Sequence, residues 1–343
     1  MLRQLKIFIC TLALSGCGTG YLLQAARGQY QVSHSRQPIA KLLHSDATDT
    51  VLKRRLAVVS EARDYASREL GLPDNASYRS YSALARPYVV WNVVAAPELS
   101  VEPKRWCFLL VGCLSYRGYF REANAEAYAA TLRRQGLDVM VGGVVAYSTL
   151  GKLADPVLDT MLRYDDLELV GTLFHELAHQ VVYVANDTAF NEAFAMAVEA
   201  EGLRRWTQAR GRDSELTTYQ LREQQQASTV TRLAALRLEL SALYASGLSD
   251  EAKRARKREL LTVRSQQILE DERAAGIRSG YSAWLRTGLN NAHLAAVATY
   301  HDCVPAFERL LAAEQQALPA LFTAVRLLGK QTPAARRRFC AGG

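Results

Sequence analysis

Residues 172–206 read TLFHELAHQVVYVANDTAFNEAFAMAVEAEGLRRW. Leu173, Phe174, Leu177, Ala178, Val181 and Val182 make the front of this stretch strongly apolar, and a helix is expected over about 166–184. His175 and His179 are four residues apart, so such a helix carries both imidazoles on one face, with about 5–6 Å between their β-carbons. Both rings can then reach one Zn2+ at about 2.0–2.1 Å. Glu176 projects toward a water on that metal, the arrangement in which zinc lowers the pKa of the water and a glutamate takes its proton. The motif by itself is short and recurs by chance, so its setting carries the weight. Two histidines and a glutamate would be costly in so apolar a helix unless they had partners. The alternative is a pair of hydrogen-bonded core histidines.

A catalytic zinc needs a third protein ligand and an open position. The next histidines, His293 and His301, lie far downstream, which leaves the nearby carboxylates. Asn186-Asp187-Thr188 is a turn and cap signal, and a second helix from about 188 past Trp206 returns alongside the first. It brings Glu192 and Glu199 past the histidine pair on one face. A rise of about 1.5 Å per residue places the metal at a level between the two, so spacing leaves the choice open.

HELAHQ followed by NEAFAMAVE resembles the HExxHQ and NEGFA segments of the zinc aminopeptidases of the gluzincin clan. That resemblance implies Glu192 as the third ligand of one Zn2+, with Glu199 orienting a histidine or holding a substrate amine. The spacer from His179 to Glu192 is shorter than in those enzymes. Together with YLLQAARGQ (21–29), WCFLLVGCLSYRGYF (106–120) and AYSTLG (146–151), the chain is similar over most of its length to a bacterial lipoprotein family described as putative aminopeptidases. The implied activity is zinc-dependent hydrolysis of peptides, with Glu176 as the base.

Two further parts of a peptidase have candidates. An extended edge strand that holds substrate backbone is expected in VGGVVAYSTLG (141–151), with Gly143 and Ala146 beside the peptide; an ordinary packed strand is the alternative. A donor to the oxyanion is expected from NNAHLAAVATYHDCVPAFERLL (290–311), with Tyr300 first and His293 and His301 behind it. In the related aminopeptidases an acid in a GxMEN strand pairs with the substrate amine. GGVVAYSTLG has no acid, so Glu199, Glu201 or Asp187 would have to substitute, and endopeptidase action stays open.

The N-terminus, MLRQLKIFICTLALSGCGTG, has basic Arg3 and Lys6 and a short apolar run over 7–14, which reads as a secretory signal. Its end, Leu14-Ser15-Gly16-Cys17, resembles the bacterial lipobox, implying removal of residues 1–16 and acylation of Cys17. Residues 17–343 would then face the periplasm from a lipid anchor in the membrane, and Gly18, where an inner-membrane retention aspartate would stand, points to the outer membrane. A plain cleavable signal is the alternative. In an oxidising compartment Cys107, Cys113, Cys303 and Cys340 are expected as two disulfides, Cys107–Cys113 and Cys303–Cys340.

Of the 343 residues, 49% are hydrophobic and 22% charged, which describes a folded chain and neither a disordered nor a polytopic membrane protein. The net charge is +8, but the basic residues are scattered among acids along helical segments, so no nucleic-acid partner is expected. Strand formers fill YRSYS (78–82), PYVVWNVVAAP (87–97), CLSYRGYF (113–120) and LDVMVGGVVAYSTLG (137–151), the last broken by Gly142-Gly143. Helices are expected over about 48–71 and 122–136 and through nearly everything after Pro156. The expected fold is α+β and mostly α-helical: one domain, with a small N-terminal β-sheet on a zincin-like helical core. A long helical hairpin over about 214–276, breaking at SGLSD (246–250), is expected as an inserted, solvated arm. The rival to an enzyme is a non-catalytic envelope lipoprotein that binds a protein partner through this arm.

Overall fold

The chain begins with helix α1 (Gly16–His34), strand β1 (Gln37–Pro38), α2 (Ile39–His44) and α3 (Thr50–Arg68). A strand-rich part follows: β2 (Ser80–Ser82), β3 (Val90–Pro97), β4 (Trp106–Phe108), β5 (Gly112–Leu114), β6 (Arg117–Tyr119), α4 (Glu122–Arg134), β7 (Leu137–Val144) and β8 (Val157–Leu158). The remainder is helical: α5 (Asp166–Ala178), α6 (Thr188–Gln208), α7 (Asp213–Ala245), α8 (Asp250–Ala274), α9 (Ser282–Thr287), α10 (Asn291–His301), α11 (Val304–Ala313), α12 (Leu318–Gly329) and α13 (Pro333–Ala341). The structure, a computed structural model, describes residues 16–108 and 112–342; the leader up to residue 15 and the side chain of Cys17 lie outside the described residues. The fold is α+β and mostly helical, as the residue pattern implies.

The sheet that matters for the site runs β6-β3-β7, antiparallel throughout. Period-two alternation along β3 sends Trp91, Val93 and Ala95 onto Ala125, Ala129 and Leu132 of α4. Val94, with Met140 of β7, meets Ala292 and Ala296 of α10 on the other face. Gly142 and Gly143 do not break β7, because they pair in register with Asn92 and Trp91. At Gly143 a β-carbon would lie 2.1 Å from the Tyr88 ring, so the missing side chain serves an internal packing contact. Among the described residues β7 pairs with β3 alone, which leaves its outer edge without a strand partner, although Asn290 donates to Val139 O at 3.2 Å.

The main core is built on α5 and α6. Phe174 and Leu177 of α5 and Phe190, Phe194 and Val198 of α6 are buried with Leu56 and Val59 of α3 and with Phe307 and Phe322 of the C-terminal helices. α5 starts in a capping box: Asp165 accepts from Glu168 N at 2.9 Å and Glu168 accepts from Asp165 N at 3.2 Å. Such a start contributes about 1 kcal/mol. A disulfide joins Cys303, at the start of α11, to Cys340 in α13. Closing that stretch is worth about 4 kcal/mol by chain entropy.

The hairpin α7–α8 is not the solvated arm expected of it. Leu233, Leu236 and Leu240 of α7 and Leu261 and Ile268 of α8 are buried against Leu285, Leu294 and Val297. Lys257 adds a tie to the sheet, donating to Glu98 O at 2.8 Å and Asp138 Oδ2 at 2.6 Å. The apolar seam between its two helices continues onto α10, a neighbour that only the tertiary fold supplies.

Candidate active site

α5 stops at Ala178, and His179 is its C-cap, so the expected run to 184 is cut short. Gln180 N and Val181 N close onto Leu177 O and Ala178 O in tightened turns. Val184 is then clamped by the buried side chain of Asn191, which accepts from Val184 N at 2.8 Å and donates to Val184 O at 2.9 Å. The asparagine of the NEAFA segment thus fixes the connection between the two site helices. The same connection is held from outside by the β4–β5 hairpin, which the Cys107–Cys113 disulfide closes. Asn186 accepts from Cys113 N at 2.6 Å and from Arg105 at 2.5 Å.

These constraints bring α6 beside α5 in one register. Glu192 Oε2 lies 3.4 Å from His175 Nε2 and 3.7 Å from His179 Nε2. One ligand atom from each of the three residues lies within 4.8 Å of the others. Two turns further along α6, Glu199 Oε2 lies 3.0 Å from His175 Nδ1, so the two carboxylates bracket one ring from opposite edges. Tyr219, from α7, donates to Glu199 Oε1 at 3.4 Å. Gly171, one turn before His175, makes room for this: a β-carbon there would lie 2.8 Å from Glu199 Oε1.

The charges follow from burial and these pairings. Burial disfavours the His175 imidazolium, but Glu192 and Glu199 outweigh it and push the group well above the usual histidine range. Burial pushes His179 down to about 4, offset in part by Glu192. It would raise Glu192 too, but the hydrogen bond from His175 and the charges of both histidines hold that carboxyl below its ordinary value. Glu176 has no such bond, and burial lifts it to about 7 against the pull of His175. A buried carboxylate that faces two imidazole nitrogens, with a proton-accepting carboxyl beside it, is a donor set that suits a divalent cation.

A cavity of about 510 Å³ opens on His175 and Glu199. The β7 residues Gly142, Gly143 and Val144 line one side, and Tyr300 lies on another. Met140, Met196, Trp284 and Val297 make much of the rest apolar. Tyr300 keeps its proton: burial raises it well above the ordinary phenol, and Glu192 and Tyr116 push the same way. Tyr116, carried in just after the disulfide hairpin, and Gln226, on α7, also line the cavity. Neither residue has a spacing signal in the sequence, because each arrives from an element distant in the chain.

Other candidates lie elsewhere. Ala146 is packed in the main core. Glu201 is buried under Arg204 and Arg205, and Asp187 caps α6 and pairs with Arg336, so neither is free to meet a substrate amine. His301 lines the cavity with its Nε2 2.9 Å from Tyr281 OH. His293 belongs to the capping box of α10, where its Nδ1 accepts from Asn290 N at 3.2 Å. Burial lowers its pKa to about 4. The unfolded chain takes up that proton near pH 6.5, so stability is full above about 6.5 and falls as the pH drops toward 4. His293→Gln is expected to remove up to about 3 kcal/mol of this acid loss, seen as a flatter melting temperature between pH 7 and 4. Parallel curves for the two proteins would refute it.

A histidine pair on one helix, a carboxylate from the returning helix and a strand edge without a strand partner define a candidate hydrolytic metal centre. The chain belongs to the family described as "Putative aminopeptidase", whose model matches residues 20–340. No curated protein and no solved structure matches the chain.

Proposed function

We propose that the protein is a zinc-dependent aminopeptidase, held at the bacterial envelope by a lipid on Cys17 and facing the periplasm. The observation that carries this is the convergence of His175, His179 and Glu192, with Glu176 next to His175 in the chain, where His175 lines a cavity bordered by Gly142, Gly143 and Val144 of β7. His175, His179 and Glu192 would hold one Zn2+. When bound, zinc would supply Lewis acidity, lowering the pKa of water and polarising the scissile carbonyl. Glu176 takes the proton of the attacking water and returns it to the leaving amine. Tyr300 donates to the oxyanion with the proton its surroundings preserve. Glu199 holds the His175 ring through Nδ1, which leaves Nε2 on the side of Glu192, where it would bind the metal. Substrate backbone extends the sheet along β7.

The apolar walls made by Met140, Met196, Trp284 and Val297 favour a large apolar side chain next to the scissile bond. Leucyl and phenylalanyl dipeptides with a free amine are expected to be hydrolysed, and their N-acetyl forms to be inert. Cleavage of blocked peptides at internal bonds would make the enzyme an endopeptidase. The packed hairpin argues against a purely partner-binding role, since Tyr219 and Gln226 bring it to the site.

A further inference from the structure

A second cavity, of about 320 Å³, lies between α1 and the start of α4 and contains no acidic residue in its lining. Arg27, Arg86 and Arg121 surround it, with Gln24, Gln31 and Asn124 between them. Arg27 and Arg121 are exposed and form no ion pair among the described residues. Arg86 is held in place by donating to Phe120 O at 2.6 Å and Val89 O at 3.0 Å, while its Nε is buried without a partner. Arg27 and Arg121 thus face a lining without a carboxylate, and the charge of Arg86, offset in part by Asp159, lies behind them, an arrangement that suits a phosphate-bearing anion.

The position of the cavity decides the source of that anion. α1 runs unbroken from Gly16 and is docked on the domain: Tyr21 stacks on Phe108 at 5.5 Å, and Gln24 accepts from Phe120 N at 3.2 Å. Gly20, at the cavity rim, is three residues beyond Cys17, about 4.5 Å along a helix axis. Leu23, in the cavity lining, stands 72% exposed. We infer that this face of α1 lies on the bilayer, with Leu23 entering the interface and the arginine cavity taking the phosphate of an anionic phospholipid headgroup. The inference rests on the membrane anchor at Cys17 for its setting, but not on the peptidase reading.

The test uses residues 17–343 carrying Cys17→Ser, so that neither the signal segment nor an acyl chain contributes, and sediments the protein with vesicles of phosphatidylcholine alone or with part replaced by phosphatidylglycerol. Binding is expected to rise with phosphatidylglycerol. Arg27→Gln with Arg121→Gln is expected to lower that binding about 25-fold, from about fivefold for each arginine, with an unchanged melting temperature. Binding indifferent to vesicle composition, or a phosphatidylglycerol-dependent rise that the double variant retains, would overturn the inference. Glycerol phosphate, which presents the same group without a bilayer, is expected to displace the protein from vesicles only weakly. Saturation of the cavity by glycerol phosphate without any preference for anionic vesicles would assign the site to a soluble phosphate ester instead.

Discussion

Glu176→Gln is expected to leave the protein folded and metal-loaded while lowering kcat for a leucyl dipeptide by about 10²- to 10⁴-fold. The fold should tolerate the change because burial already lifts this carboxyl to about 7, so a neutral amide of the same shape replaces a group that is near neutrality. Metal binding should survive because Glu176 is not among the three residues whose ligand atoms converge. The loss belongs to the proton shuttle alone. Measuring metal content, melting temperature and kcat on the same preparation separates these effects. Retained kcat would remove Glu176 from the chemistry, and a lost metal would move it into the ligand set.

The second large effect is expected at Glu192. Glu192→Gln removes the one carboxylate, among the described residues, whose oxygen approaches the Nε2 atoms of both histidines, so metal and hydrolysis should be lost together. Glu199→Gln should behave differently. It weakens the hold on His175 Nδ1, and a partner of that kind costs about 10- to 100-fold in metal affinity without abolishing binding. A metal titration of the two variants reads the difference directly. The reverse order, with Glu199→Gln losing the metal and Glu192→Gln keeping it, would exchange their roles.

Much of this site is legible in the chain because its parts are local. The four-residue histidine spacing, the Asn186-Asp187 turn and the seven-residue glutamate spacing all lie within one helix-turn-helix. Spacing does not decide which glutamate faces both histidines, because that depends on the register of α6 on α5. Asn191 and the β4–β5 hairpin set that register through contacts across the chain. The early end of α5 is hidden for the same reason, since Val181 and Val182 extend its apolar pattern past Ala178, where the helix ends. The packing of the arm on α10 has no signature in the sequence, because its seam residues look alike whether they pair two helices or bury against a third. Tyr219, Gln226 and Tyr116 reach the cavity only through that packing.

The most direct measurement is the zinc content of the purified wild-type protein, by elemental mass spectrometry after removal of loosely bound metal. Close to one zinc per chain is expected, with loss of both metal and dipeptide hydrolysis on chelation and recovery of both on return of Zn2+. A folded wild-type protein that neither contains nor takes up stoichiometric metal would contradict the assignment of His175, His179 and Glu192.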